Sequence, residues 1–199
     1  GANMATKEDI LEQIVEEYLI SQGYFVQHNI KFLPRKDHPD YVRNKDSNHS
    51  DIDVLGFHPL KEGAERVMAV SCKSWQSGFN PTSEIDAIEA DKRLRGRQAW
   101  QAFRELTVPK WSQGFLDAVE QATGATDFTY VTAVAKVRGD KAVWEGHPRF
   151  TEALGGNPIR ILTFEEMLTA IQKDMGQTLA GSEVGRLLQV VRAAGLQIR

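Results

Sequence analysis

Apolar residues recur along the chain at two different spacings, and the spacing predicts which segments are helices and which are strands. In residues 9–21 they repeat at helical spacing and form one stripe, and Gly23 follows where a helix would end. A continuously apolar run at 127–137 predicts a strand covered on both faces. Short runs rich in β-branched or apolar residues, bounded by turn formers, predict further strands at 24–33, 51–57, 66–75 and 158–162.

The remaining segments predict helices, short connections and one more strand. A long helix is expected from Pro81 to about Leu106, with Ser83 as its N-cap, and another at 111–123 beyond Pro109. Asp140 to Trp144 suggests a short strand after a Gly-Asp turn. Thr163 and Glu166 have the spacing of a capping box that begins the next helix, and an amphipathic pattern at 182–194 predicts a last one.

The order of these elements predicts an α/β fold with a mixed central β-sheet flanked by helices. The connection 58–65 is of hairpin-loop character, so the strands on either side of it are expected to pair in antiparallel fashion. We expect one domain at 4–175 and a C-terminal helical tail at 176–199.

Composition and net charge limit the classes of function that the protein can have. The 199 residues carry a net charge of −3, with 41% hydrophobic and 26% charged residues, so any nucleic-acid binding needs a local basic patch. The single cysteine, Cys72, excludes a disulfide framework and a cysteine-rich zinc site. There is no apolar run of about 18 residues and no signal-peptide pattern, so we expect a cytoplasmic protein without a membrane partner.

Candidate chemistry lies at the ends of two strands that are neighbours in sequence. Because side chains alternate along a strand, pairing of the two strands would place Asp53 on the same side as Ser71 and Lys73. A carboxylate can hold Mg²⁺ or Mn²⁺ with several waters, and a lysine can stabilise charge that develops on a phosphate. Glu12 lies at the edge of the apolar stripe of the first helix and is a candidate second carboxylate. His49 and Gln76 are close enough in sequence to support this site.

These residues resemble a known motif. The pattern of Glu12, Gly23-Tyr24, Asp51-Ile52-Asp53 and Val70-Ser71-Cys72-Lys73 is similar to the restriction-endonuclease-like PD-(D/E)xK nuclease superfamily, and within it to Holliday-junction resolvases and Mrr-type endonucleases. The resemblance implies a restriction-endonuclease-like core with a C-terminal βα extension. It also implies DNA as substrate, Mg²⁺ or Mn²⁺ as cofactor, and a homodimer as a possible assembly.

The resemblance also assigns roles to single residues. Glu12 becomes the helical metal ligand, Asp53 the central ligand and Lys73 the catalytic lysine, and Asp51 occupies a position that is often polar or acidic in such families. Ser71 stands where the motif has an acid, and a serine hydroxyl is a poor metal ligand. The backbone carbonyl of Cys72 is then a further oxygen donor, since that carbonyl is a ligand in the family. Two functions follow: a metal-dependent nuclease of repair, recombination or restriction type, or a nuclease-fold protein that binds nucleic acid without cleaving it.

A basic cluster with interleaved aromatic residues is the candidate nucleic-acid surface. It consists of Lys92, Arg93, Arg95, Arg97, Arg104 and Lys110. Plainer interpretations stand beside these assignments: the cluster can be a solvated helix face, Glu12 a solvated helix residue, and Asp53 and Lys73 a surface ion pair. In a third functional hypothesis the protein is an interaction scaffold whose tail helix docks to a partner.

Overall fold

The chain folds as helices packed on both faces of one sheet. A computed structural model describes residues 7–176 and 180–197. In that part of the chain the elements are α1 (Lys7–Ser21), β1 (Phe25–Phe32), β2 (Ser50–Phe57), β3 (Val67–Lys73), α2 (Pro81–Glu89), β4 (Arg93–Leu94), β5 (Arg97–Gln98), α3 (Arg104–Thr107), α4 (Pro109–Thr123), β6 (Thr129–Val134), α5 (Ala142–Glu145), α6 (Pro148–Ala153), β7 (Ile159–Thr163), α7 (Phe164–Asp174) and α8 (Glu183–Ala193). None of the described helices is long and apolar enough to cross a membrane.

The central sheet has five strands in the order β1-β2-β3-β6-β7. The first three pair in antiparallel fashion, and β3, β6 and β7 run parallel, so the α/β fold with a mixed central sheet is confirmed. Every residue of β6 is buried, as the apolar run at 127–137 predicted, because helices cover this strand on both faces.

Two apolar layers enclose the sheet. On one face, α1, α7 and α8 pack through residues such as Ile14, Met167 and Leu188. On the other face, α2 to α6 pack through a second cluster that includes Phe103 and Trp144. Residues of β3 alternate between the two layers, so the strand is buried between helices up to Cys72, and its last residue, Lys73, is half-buried.

The predicted long helix from Pro81 to Leu106 is wrong. The helix ends at Glu89, and its N-cap is Asn80, whose side chain accepts a hydrogen bond from the Ser83 amide at 3.0 Å. The chain then forms the small β4–β5 hairpin, whose turn residues Arg95 and Gly96 have φ of 53° and 82°. Positive φ at both central residues suits a two-residue hairpin turn and is incompatible with a right-handed helix. A 3₁₀ turn at Ala99–Phe103 leads from this hairpin into α3.

The predicted strand from Asp140 to Trp144 is also wrong, because these residues lead into the short helix α5. The Asp140 side chain accepts a hydrogen bond from the Ala142 amide at 2.9 Å, which turns the chain locally. Trp144 is fully buried and donates its indole N–H to the Thr132 hydroxyl at 3.1 Å, so tertiary packing stabilises the helix.

The C-terminal part agrees with the predicted pattern. The capping box of Thr163 and Glu166 is present at the start of α7. The Ser182 hydroxyl donates a hydrogen bond to Glu17 of α1 at 2.7 Å, which fastens the start of α8 to the first helix. The proposed division between a domain at 4–175 and a tail stays a prediction, and its first residue, Met4, lies outside the described residues.

Candidate active site

A polar cleft opens where two strands of the sheet separate. The last paired residues of β2 and β3 are Val54 and Val70, and both strands continue past this point. Beyond it, the Asp53 carboxylate accepts a hydrogen bond from the Cys72 amide at 2.7 Å. The space has a volume of about 360 Å³.

Most of the residues selected from the motif lie together around this cleft. Its lining includes Glu12, His49, Asp51, Asp53, Ser71, Cys72 and Lys73. These residues come from α1, from the segment before β2, and from β2 and β3. The fold therefore brings side chains that are distant in sequence to one cleft. Gln76 is exposed in the turn after β3 and lies outside the cleft.

Alternation along β3 explains why Ser71 and Lys73 face the same side of the sheet. Cys72 packs its side chain into the cluster beneath α1, so its neighbours Ser71 and Lys73 face the opposite layer. The ammonium group of Lys73 lies 5.0 Å from the centre of the Phe103 ring, which gives a cation–π contact on that side. Glu12 reaches the cleft from α1 with its side chain 15% exposed, and its carboxylate lies 4.0 Å from His28 of β1.

A buried network that the motif did not reveal completes the floor of the cleft. Glu105 of α3 lines the cleft, is 6% exposed, and accepts a hydrogen bond from the Tyr130 hydroxyl at 2.5 Å. Burial, and next the negative charge of Glu105, raise the pKa of Tyr130 well above its ordinary value. Ser71 lies on the same face of the sheet as this phenol, because Tyr130 pairs with Ala69 and Ser71 follows two residues later. Tyr130 is therefore a fixed donor to Glu105.

The basic cluster is divided by the structure. Arg97 and Arg104 line the cleft, and the Arg104 guanidinium lies 4.8 Å from the centre of the Trp111 ring. Burial, as the largest effect, lowers the pKa of Arg104, although an arginine remains charged at neutral pH. Lys92 and Arg93 are exposed and lie outside the cleft lining.

Two members of the cluster are instead engaged in ion pairs. Arg95 binds the buried carboxylate of Glu84 through contacts of 2.8 and 3.0 Å and stacks at 3.5 Å on the ring of Trp75. Lys110 pairs with the buried Asp46 at 2.7 Å. These contacts give both cations a structural role in the fold.

The oxygen donors of the cleft fit a hard divalent cation with few protein ligands. Among the described residues, no three His, Cys, Asp or Glu side chains form a group that could hold a metal ion together. Mg²⁺ is commonly bound by one or two carboxylates with its remaining positions filled by water, and Asp53 and Glu12 both line the cleft. This donor set suits a sparse, water-rich magnesium or manganese site and does not suit a closed zinc site.

Comparison of the chain with protein-family models, curated proteins and solved structures gave no match.

Proposed function

We propose that this protein is a metal-dependent nuclease of the PD-(D/E)xK type that hydrolyses phosphodiester bonds in DNA. One observation carries the proposal: residues chosen by motif from separate segments line a single cleft at the open ends of β2 and β3. A chance resemblance in sequence gives no reason for a helix glutamate, a strand aspartate and a strand lysine to meet.

Each group has a chemical role in this proposal. Asp53, Glu12 and the Cys72 carbonyl would hold Mg²⁺ or Mn²⁺, and such an ion, when bound, lowers the pKa of water and neutralises charge on phosphate. Lys73 stabilises the charge that develops on the phosphate during cleavage. Its cation–π contact with Phe103 limits the positions that its ammonium group can take.

Arg97 and Arg104 supply the positive charge that a DNA-binding cleft needs. The whole molecule has a net charge of −3, so attraction to a polyanion must be local. Both guanidinium groups belong to residues that line the same cleft as Lys73, and arginine donates hydrogen bonds to phosphate oxygens in a fixed fork. We assign these two residues to phosphate binding in the cleft.

The direct test is nicking of supercoiled plasmid in Mg²⁺ or Mn²⁺ by the wild type, Asp53→Asn and Lys73→Ala. We expect each substitution to reduce the cleavage rate by at least about 100-fold, as expected when an electrostatic group that acts in the transition state is removed. Asp37→Asn is the matched control, because the Asp37 side chain is 81% exposed and lies outside the cleft lining. Equal cleavage by all four proteins, or none by the wild type, would reject the nuclease proposal.

A second candidate function, DNA binding without cleavage, is favoured by Ser71. This residue is 9% exposed and lines the cleft, so the motif position that usually carries an acid has no carboxylate of its own. A salt-dependent gel shift by the wild type, without nicking in either metal, would support this function. Loss of the shift in an Arg97→Gln, Arg104→Gln double variant would locate the binding in the cleft.

A further inference from the structure

The acid that is missing from β3 has a structural counterpart in another element that lines the cleft. Glu105 lies in α3, outside the strand motif, and yet it lines the same cleft as Asp53 and Ser71. Its neighbours Phe103, Leu106 and Thr107 are all buried, so the carboxylate belongs to a well-packed segment.

Burial of Glu105 at 6% exposure requires compensation, because a carboxylate removed from water is costly unless it is paired and hydrogen-bonded. The Tyr130 hydroxyl donates one hydrogen bond at 2.5 Å. An ionised carboxylate has about four lone-pair positions, so one phenolic hydrogen leaves capacity for another ligand. A divalent cation is a partner of the appropriate charge for a residue that lines a polar cleft.

Tyr130 also shows how close this carboxylate is to the motif residues. Its buried hydroxyl donates a hydrogen bond to Glu105, and Ser71 and Asp53 line the same cleft as that carboxylate. The parallel pairing of β3 and β6 produces this arrangement, because Ala69 is the partner of Tyr130 and Ser71 follows on the same face. Two carboxylates, those of Asp53 and Glu105, therefore line one cleft, an arrangement of like charges that a cation would relieve.

We propose that Glu105 supplies the carboxylate that Ser71 lacks, and that it binds the divalent cation together with Asp53 while Tyr130 holds it in position. The inference rests on the proposed function for the cation itself, but it assigns a ligand that the strand motif does not contain. In this arrangement the serine does not coordinate the cation, and the Tyr130 hydroxyl supports the glutamate through its hydrogen bond.

The test measures binding of Mn²⁺ to the full chain in the absence of DNA, by electron paramagnetic resonance of the free ion. We expect Glu105→Gln to weaken binding by at least about tenfold relative to the wild type. Glu84→Gln is the matched control, because Glu84 is a 5% exposed glutamate outside the cleft. We expect the Glu84→Gln protein to bind Mn²⁺ with the affinity of the wild type.

Two further variants keep the test decisive if Glu105→Gln folds poorly. Glu105→Asp retains the charge on a shorter side chain, and we expect its affinity to lie between those of the wild type and the glutamine variant. In the double variant Ser71→Glu, Glu105→Gln the acid returns to the strand position, and we expect Mn²⁺ affinity to recover. Circular dichroism identifies which variants are folded.

The outcomes separate this inference from the proposed function. If Asp53→Asn abolishes Mn²⁺ binding while Glu105→Gln and Glu105→Asp bind like the wild type, Glu105 is not a ligand and the nuclease proposal stands. If both Asp53 and Glu105 variants bind weakly but the wild type does not nick DNA, the ligand assignment stands and the activity is rejected. Absence of Mn²⁺ binding by the wild type would overturn both.

Discussion

Lys110 is a candidate DNA-binding residue in the sequence, but in the structure it forms a buried ion pair. The stability of a Lys110 variant tests whether this pair stabilises the fold. The Lys110 ammonium group bonds to the Asp46 carboxylate at 2.7 Å and to the Asp40 carbonyl at 3.0 Å. The Asp46 and Lys110 side chains are only 6% and 14% exposed. The pair fastens the loop between β1 and β2 to the start of α4, and this loop leads to His49 in the cleft.

The expected cost of Lys110→Met follows from this burial. Exposed ion pairs contribute about 1 kcal/mol or less, whereas removing one partner of a buried pair costs about 3–5 kcal/mol. Asp46 would keep one hydrogen bond, from the Val42 amide at 2.7 Å, so its charge would not be entirely without a donor. We therefore expect the free energy of unfolding to fall by about 2–3 kcal/mol, between these limits.

Urea unfolding followed by circular dichroism measures this loss, with Lys36→Met as the control, because Lys36 is an exposed lysine of the same loop. The double variant Asp46→Asn, Lys110→Met should lose less stability than Lys110→Met alone, since it leaves no buried unpaired charge. A loss below about 0.5 kcal/mol for Lys110→Met would refute the reasoning, because the pair would then behave as a surface contact.

The same pair predicts a dependence of stability on pH. Burial raises the pKa of Asp46, but hydrogen bonds from Lys110 and the Val42 amide and the charge of Lys110 outweigh it, so the pKa is lowered in the folded protein. A lowered folded pKa stabilises the protein above the unfolded value, about 3.9, and this contribution is lost as the pH falls through the folded pKa. The stability difference between wild type and Asp46→Asn should therefore shrink below about pH 4.

Two more predictions concern the packing of α4 and the cleft. A Cβ atom added at Gly114 would lie 1.9 Å from the Leu33 carbonyl oxygen. Gly114→Ala should therefore lower the free energy of unfolding, measured by urea unfolding, by about 1–3 kcal/mol. Unchanged stability would mean that α4 can shift easily. Arg97→Gln should weaken DNA binding and reduce the salt slope by about 1, whereas Arg93→Gln, outside the cleft, should change both less. Equal effects of the two arginine variants would argue against binding in the cleft.

Local patterns in the sequence predicted much of the fold. The apolar stripe of α1, the strands on either side of the hairpin loop and the capping box at Thr163 are all present. Each depends on residues that interact within one or two turns or along one strand, so neighbouring residues carry enough information to predict them. The predicted helix that would end at Leu106 is wrong because the spacing of apolar residues contains no information about the positive φ at Asp91 and Arg95.

Some residues of the candidate site could likewise be predicted from local sequence, and others could not. The spacing of Asp53 and Lys73 on two strands that pair was readable because alternation along a strand is a local rule. Glu105 was not identified, because its relation to Ser71 arises from the path of the chain through the β4–β5 hairpin and α3 and from a hydrogen bond to Tyr130 on a third strand. Nothing in the immediate neighbourhood of Glu105 distinguishes it from a solvated helix glutamate.

Regular apolar spacing along the chain is enough to specify most helices and strands, and their order specifies a mixed sheet between helices. Which charged side chains line the cleft and which stabilise the fold depends on contacts between residues that are distant in the chain. Arg97 and Lys110 are similar in sequence character, but one lines the cleft and the other neutralises Asp46, a partner 64 residues away. The role of a charge depends on its burial and on the group opposite it, and long-range packing sets both.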